Sequence, residues 1–168
     1  MTKDGIDGNK TYAKLFHAVR NAAIQTHALI LVHLDIETDA IEIINFFKEK
    51  AVKSRLILCH LDRARYDFVY HKEIAAEGVF LEYDTINRPK YHSDEDEIKL
   101  ILYMIEQGFA DRLLLEMDTT NKRMKSYGTD FGLNYILIDF KDKLLKSGLS
   151  LEEFNDMMIT NSANALAF

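Results

Sequence analysis

The sequence predicts a parallel α/β fold: one leading helix followed by four strand–helix units. Two observations carry that prediction. Four short apolar runs recur along the chain, within ALILVHLD (Ala28 to Asp35), RLILCHLDR (Arg55 to Arg63), VFLEYDT (Val79 to Thr85) and RLLLEMDTT (Arg112 to Thr120). Runs of this length, bounded by polar residues or glycine, read as strands buried on both faces. Each is followed by a stretch with apolar residues at three- and four-residue steps, and such alternation predicts a parallel sheet with right-handed crossovers.

The elements follow in order. Residues 1–10 are polar, carry two glycines and show no periodicity, so they read as a flexible lead-in to a single domain over 11–168. Tyr12, Leu15, Phe16, Val19 and Ala23 share one face of a helix that closes near Thr26. Thr38 is the expected N-cap of a second helix, with Ile41, Ile44 and Phe47 inward. A third helix is expected from about Arg65 to Glu77, with Gly78 in the left-handed position after it.

The connection Ile86 to His92 holds the only proline. Ser93 then caps a helix whose first turn, Asp94 to Glu97, is all acid, which suits the positive end of a helix dipole. That acid run is expected to be solvated. Thr119 to Asp130 reads as a long polar loop. Leu133, Ile136, Leu137, Phe140 and Leu144 are expected to line a helix stopping at Gly148. Ser150 and Glu153 form a capping box for the next helix, and NSANALAF reads as one last helical turn.

The bulk properties narrow the function classes. A formal charge of −6 with a pI near 5.5 offers no basic patch for nucleic acid or an anionic membrane. One cysteine excludes an internal disulfide and suits a reducing cytosol. The start MTKDGIDGNK lacks a signal-peptide core, and no apolar stretch approaches the ~20 residues a membrane span needs. A cytoplasmic protein acting on a small molecule is expected. No glycine-rich phosphate loop, nucleophile elbow or CxxC pair occurs.

Chemistry concentrates at the strand ends, where parallel α/β folds gather their active residues. His33, His60, Asp84 and Asp118 each close an apolar run. Imidazole is the usual ligand for zinc-like metals, and a carboxylate completes such a set. The competing reading is that each histidine only hydrogen-bonds at a strand end. Neighbours on a strand point to opposite faces, so Cys59 is expected in the helix-facing core if His60 faces the site. The same parity puts Glu82 with Asp84, and Glu116 with Asp118. His17, His27 and His71 read as surface or hydrogen-bonded residues, and Arg88 and His92 as loop residues within reach of a substrate.

The order of His33, then CHLD with His60, then LEYDTINR, then LLLEMD with Asp118, resembles the phosphotriesterase family of the amidohydrolase superfamily. The closing segment GLNYILIDF…LLKSGLSLEEFNDMMITNSANALAF resembles that family's last helices. The resemblance implies a half-barrel equivalent to strands five to eight of a (β/α)8 TIM barrel. It also implies two divalent metals, zinc above all, with His33 and His60 holding one and Asp118 the other. Asp118 would accept the proton of the metal-activated water, Asp62 would support that relay, and Arg88 would face the substrate. The implied chemistry is hydrolysis of a phosphoester, ester or lactone.

The family's His-x-His pair and its bridging lysine or glutamate, carried by earlier strands, have no counterpart here. Two expectations follow. One is a hydrolase whose site is completed by a second chain, either a complementary half-barrel or another copy in a homo-oligomer. The other is a non-catalytic or truncated half-barrel that binds a metal or partner without turnover. Four open strands would leave two edges and an uncovered apolar inner face.

Overall fold

Asn9 opens the first helix by accepting the N–H groups of Thr11 and Tyr12, so α1 runs Lys10–Thr26 and ends where His27 turns to φ 60°. The computed structural model describes residues 5–6, 8–48, 50–64, 67–126 and 132–167. Ile6, ahead of α1, is buried, and its N–H donates to Glu42 Oε1 at 2.8 Å.

β1 (Ile30–His33) leads to α2 (Ala40–Phe46) and the single turn α3 (Lys50–Lys53). The cap of α2 is Asp39, which accepts the Ile41 N–H, rather than the expected Thr38. Thr38 Oγ1 is already engaged, accepting the Asp35 N–H across the turn. After β2 (Leu56–Cys59), a single turn α4 (Leu61–Ala64) comes ahead of the helix expected from about Arg65 to Glu77, which is observed as α5 (Phe68–Ala76). Asp67 accepts from Val69 and Tyr70 and so starts α5 afresh, while residues 65–66 lie outside the described set.

β3 (Phe80–Tyr83) is followed by α6 (Asp94–Glu106), capped by Ser93 as expected. β4 (Leu113–Leu115) precedes α7 (Asn121–Ser126), which occupies part of the segment expected as a loop; residues 127–130 lie outside the described set. The chain closes with α8 (Lys141–Lys146), α9 (Leu151–Asn155) and α10 (Asn161–Leu166). A π turn at Ile136–Phe140 leads into α8 and another, Asp156–Thr160, joins α9 to α10. The first shifts the helical register by widening one turn. Ile136, Phe140 and Leu144 are therefore buried and Leu137, expected on the same stripe, is exposed; Leu133, also expected there, lies exposed in the turn ahead of the helix.

The four strands form one parallel sheet in sequence order. Leu56, Leu58, Leu81, Tyr83, Leu113 and Leu115 point to the helix-covered side and join the main core. The other face carries Leu31, His33, Ile57, Cys59, Phe80, Glu82 and Leu114 by strand register. Two expectations are corrected here. Cys59 lies in a small second cluster with Ile57, Phe80 and Leu114, away from the main core. That inner face is also less open than four bare strands suggest. Ile57, Cys59, Phe80 and Leu114 are buried, Ala165 of α10 reaches into their cluster, and only Leu31 and His33 on β1 stay open. Helices are thus not confined to one face, because α10 turns under the sheet.

Candidate metal centre

β1 and β2 pair with His33 opposite Cys59, which leaves His60 one residue beyond the end of β2. His60 has φ 64°, a left-handed conformation that costs a side-chain-bearing residue roughly 1–2 kcal/mol. The turn breaks strand parity. It swings the His60 ring toward His33, and that is why Cys59 and His60 do not divide between opposite layers.

The two rings meet edge to face, with centres 4.2 Å apart. His60 Nε2 lies 2.8 Å from His33 Nδ1. Asp84 grips His60 from behind. Its Oδ2 accepts the His60 backbone N–H at 2.8 Å and lies 2.6 Å from the ring Nδ1, off the line of that N–H. His60, Asp84 and Asp118 offer three ligand atoms within 4.8 Å of one another. Asp118 is fixed by its backbone N–H to Asp84 O at 3.1 Å and by Arg88, whose Nη1 donates to Oδ2 at 2.7 Å.

Charge in this cluster is poorly solvated. Burial, then Asp62, pushes Asp84 up to about 8, even though the His60 N–H favours its ionised form. Both histidines are held below the ordinary imidazole range. For His33 burial comes first, then His60 and Arg63; for His60 burial comes first, then Arg63. Neutral imidazoles are what a metal requires.

The residues fit a divalent ion on two counts. Asp84 Oδ1 is buried without a hydrogen-bond partner, in the cluster with His60 and Asp118. The facing imidazole nitrogens, 2.8 Å apart, need part by only about half an ångström to bind one tetrahedral ion at the usual ~2.0–2.1 Å. Of the residues expected at one rim, His60 meets His33 directly and groups with Asp118 and Asp84. Asp84 was readable only as one more strand-end acid, yet it is the residue that orients a ligand.

Asp62 makes no hydrogen bond to His33 or His60, and its Oδ2 lies 4.0 Å from His92 Nε2. Its Oδ2 accepts the N–H groups of Asp84 at 3.2 Å and Thr85 at 2.8 Å, as well as the Thr85 hydroxyl, and its Oδ1 accepts the Arg63 N–H. It ties the start of α4 to the end of β3, and so holds Asp84 in place. Behind it, Thr85 Oγ1 lies 2.6 Å from His92 Nε2, which lies 2.9 Å from Glu97 Oε2. Glu97 is fully buried, and the Asp94 side chain, 8% exposed, accepts from the Tyr135 hydroxyl, Lys143 and the Asn87 N–H, so the expected solvated acid run is corrected at its first and fourth residues. The missed signal is spacing, for Glu97, Ile101 and Met104 fall on one helix stripe. Burial, then Asp62, raises Glu97 to about 8; burial opposes charge on His92, but Glu97 outweighs it and lifts His92 to about 9.

Elsewhere, His71 is hydrogen-bonded as expected, with Nδ1 2.8 Å from the Tyr83 hydroxyl in the core. Glu82 lies on the inner face near Glu116 and Cys59, and burial, then Glu116, raises it to about 8. Burial lifts the Cys59 thiol far above the ordinary range, which makes it inert as a nucleophile. No helix among the described residues is long and apolar enough to cross a membrane.

Comparisons with known proteins agree with this fold. A sequence model described as "Phosphotriesterase family" matches residues 5–166. A phosphotriesterase-related protein of Drosophila mojavensis is 30% identical over 139 residues, covering 76% of this chain and 39% of that protein. An N-acetyltaurine hydrolase of Danio rerio is 26% identical over 168 residues, covering 92% and 48%. Among solved structures, a lactonase from Listeria monocytogenes superposes with a TM-score of 0.83 at 31% identity, covering 95% of this chain and 50% of that one. The chain thus spans about half the length, or less, of the relatives it matches. The four-stranded sheet with its helices corresponds to half of a (β/α)8 barrel.

Proposed function

The chain belongs to the phosphotriesterase family of metal-dependent hydrolases, and on that premise we propose that it contributes one half of a hydrolytic metal site. The single observation that carries this reading is that His60, buttressed by Asp84, meets His33 ring to ring and groups with Asp118. His33 and His60 would hold a zinc-type ion between Nδ1 and Nε2, and Asp118 would complete the set.

A bound ion would polarise the scissile group and lower the pKa of a water toward ~7. Asp118 accepts the proton at a carboxylate oxygen, with the other oxygen kept in place by Arg88. Asp62 holds Asp84 and Thr85 rather than exchanging protons with substrate. Arg88, nearly buried and stacked 4.8 Å from the Tyr91 ring, presents the loop after β3 to the substrate. The bond cleaved is a phosphoester, ester, lactone or amide. The buried, inert thiol and the acidic charge suit a cytosolic protein.

The remaining ligands come from a complementary half-barrel. β1 leaves an open edge beside α1, where a cavity of about 340 Å³ is lined by Tyr12, Phe16, Leu31 and His33. A parallel strand laid along β1 would cover Leu31 and extend the sheet. A second copy of this chain is less suited, because it would crowd two Glu82–Glu116 pairs inside one barrel. The non-catalytic alternative rests on one feature: only part of a two-metal ligand set lies in this chain. Assaying a chromogenic ester, a lactone and an N-acyl amine with the zinc-loaded chain, alone and with a complementary half-barrel, separates the readings. Turnover that needs both parts and disappears in Asp118→Asn supports the hydrolase; stoichiometric zinc without turnover under either condition supports the binding module.

A further inference from the structure

We infer that Asp62, His92 and Glu97 form a separate, buried site for a hard divalent cation of the manganese type, behind the rim that carries the paired histidines. This goes beyond the hydrolase reading, and the two sites share no ligand. Three parts of the chain supply the set: Asp62 from α4, His92 from the loop after β3, and Glu97 from the first turn of α6. One ligand atom from each lies within 4.8 Å of the other two. His92 Nε2 is 2.9 Å from Glu97 Oε2 and 4.0 Å from Asp62 Oδ2. Two metal–ligand bonds of about 2.1 Å span up to roughly 4.2 Å, so an ion bonded to the ring reaches either carboxylate.

Glu97 is the residue that points to a ligand. Its side chain is fully buried, and Oε1 has no hydrogen-bond partner among the described residues. A buried carboxylate in that state calls for an offsetting charge. Among the described residues no lysine or arginine forms an ion pair with Glu97 or Asp62. A proton on His92 offsets one of these two buried acids, whereas a divalent ion offsets both.

The His92 ring is set for this task. Nδ1 lies 3.0 Å from the Ser93 carbonyl, which only accepts, so Nδ1 carries a proton and Nε2 is the nitrogen turned toward the acids. A ligating imidazole is commonly oriented in this way, through its other nitrogen. Thr85 Oγ1, 2.6 Å from Nε2, adds a hydroxyl oxygen. That hydroxyl now donates to Asp62 Oδ2 and would turn aside for the ion, while two backbone N–H groups keep Asp62 in place. Oxygen donors outnumber the single imidazole, which suits manganese or magnesium, and the facing imidazoles of the rim suit zinc. An ion here would tie the loop after β3 and the start of α6 to Asp62, the carboxylate that holds Asp84.

The test titrates Mn2+ into the full chain carrying His33→Ala/His60→Ala, so that the rim imidazoles cannot contribute. Uptake is read from the free-ion electron spin resonance signal, nitrogen ligation from electron spin-echo modulation, and position from paramagnetic broadening of backbone amides in NMR. One Mn2+ per chain is expected, coupled to one imidazole nitrogen, with the amides of Thr85, Ser93 and Glu97 broadened first. Adding Glu97→Gln, which keeps the shape and removes the charge, or His92→Gln should abolish that uptake in chains that keep their urea midpoint. Where a substituted chain fails to fold, the broadening pattern of the parent decides alone. Uptake below one per chain, broadening centred on other amides, or binding unchanged by Glu97→Gln overturns the site. A pocket that takes up no ion holds a proton between His92 and Glu97 instead, and the hydrolase reading then stands as before.

Discussion

Asp84 Oδ2 accepts the His60 backbone N–H at 2.8 Å and lies 2.6 Å from the ring Nδ1, although 24 residues separate the two in the chain. One carboxylate thereby fixes both the left-handed turn after β2 and the orientation of the ring. The ring nitrogen left over, Nε2, is the one that faces His33. A carboxylate behind a ligating imidazole sets its tautomer and raises its basicity, and losing one typically costs 10- to 100-fold in metal affinity. Asp84→Asn should therefore weaken zinc binding by roughly 10- to 100-fold while leaving one site per chain, as read by competition with a chromogenic chelator.

The backbone at His60 allows a separate test. At φ 64° a residue with a Cβ is strained and glycine is not. His60→Gly and His60→Ala both remove the ligand, so both should lose stoichiometric zinc. In the metal-free state the glycine variant should be more stable than the alanine variant by about 1 kcal/mol in urea unfolding. Equal stability would mean that the turn relaxes once the imidazole is gone.

The buried Thr85–His92–Glu97 chain predicts a pH dependence. Glu97 is raised to about 8, so the folded chain holds its proton more tightly than the unfolded one. That stabilisation is complete below the ordinary carboxylate range and is lost as pH rises through 8. His92, raised to about 9, acts in the same direction: its contribution is full below the ordinary imidazole range and is lost as pH rises through 9. The metal-free chain should therefore lose stability between pH 5 and 9. Glu97→Gln should flatten that decline in urea midpoints measured across the range; an unchanged slope would place the titration elsewhere.

In the core, Tyr83 and His71 are both fully buried and share one hydrogen bond. Tyr83→Phe leaves the His71 nitrogen without its partner and should destabilise the fold by about 1–3 kcal/mol. Zinc affinity should not change, because neither residue touches the site.

The layout of this fold was legible because the apolar runs are continuous and their order in the chain is their order in the sheet. His33, His60 and Asp118 were legible for the same reason, each standing where a buried strand stops. What escaped depends on backbone detail that composition does not carry. Parity counting assigned Cys59 to the helix layer because it assumed an extended chain through His60, where the chain instead turns left-handed. Leu137 fell off the expected stripe because a π turn adds a residue to one helical turn, and Leu133 because the helix starts after it. Glu97 was hidden in a run of four consecutive acids, and its partner His92, brought back by the loop after β3, explains its burial.

The central claim is that His33 and His60 share one metal ion. A zinc titration of the purified chain, followed by calorimetry and by X-ray absorption at the zinc edge, tests it most directly. The account predicts one zinc per chain with two imidazole nitrogens in its coordination shell at ~2.0–2.1 Å, and loss of stoichiometric binding in His33→Ala/His60→Ala. A double variant that still holds one zinc per chain, or a zinc shell without imidazole, would contradict it.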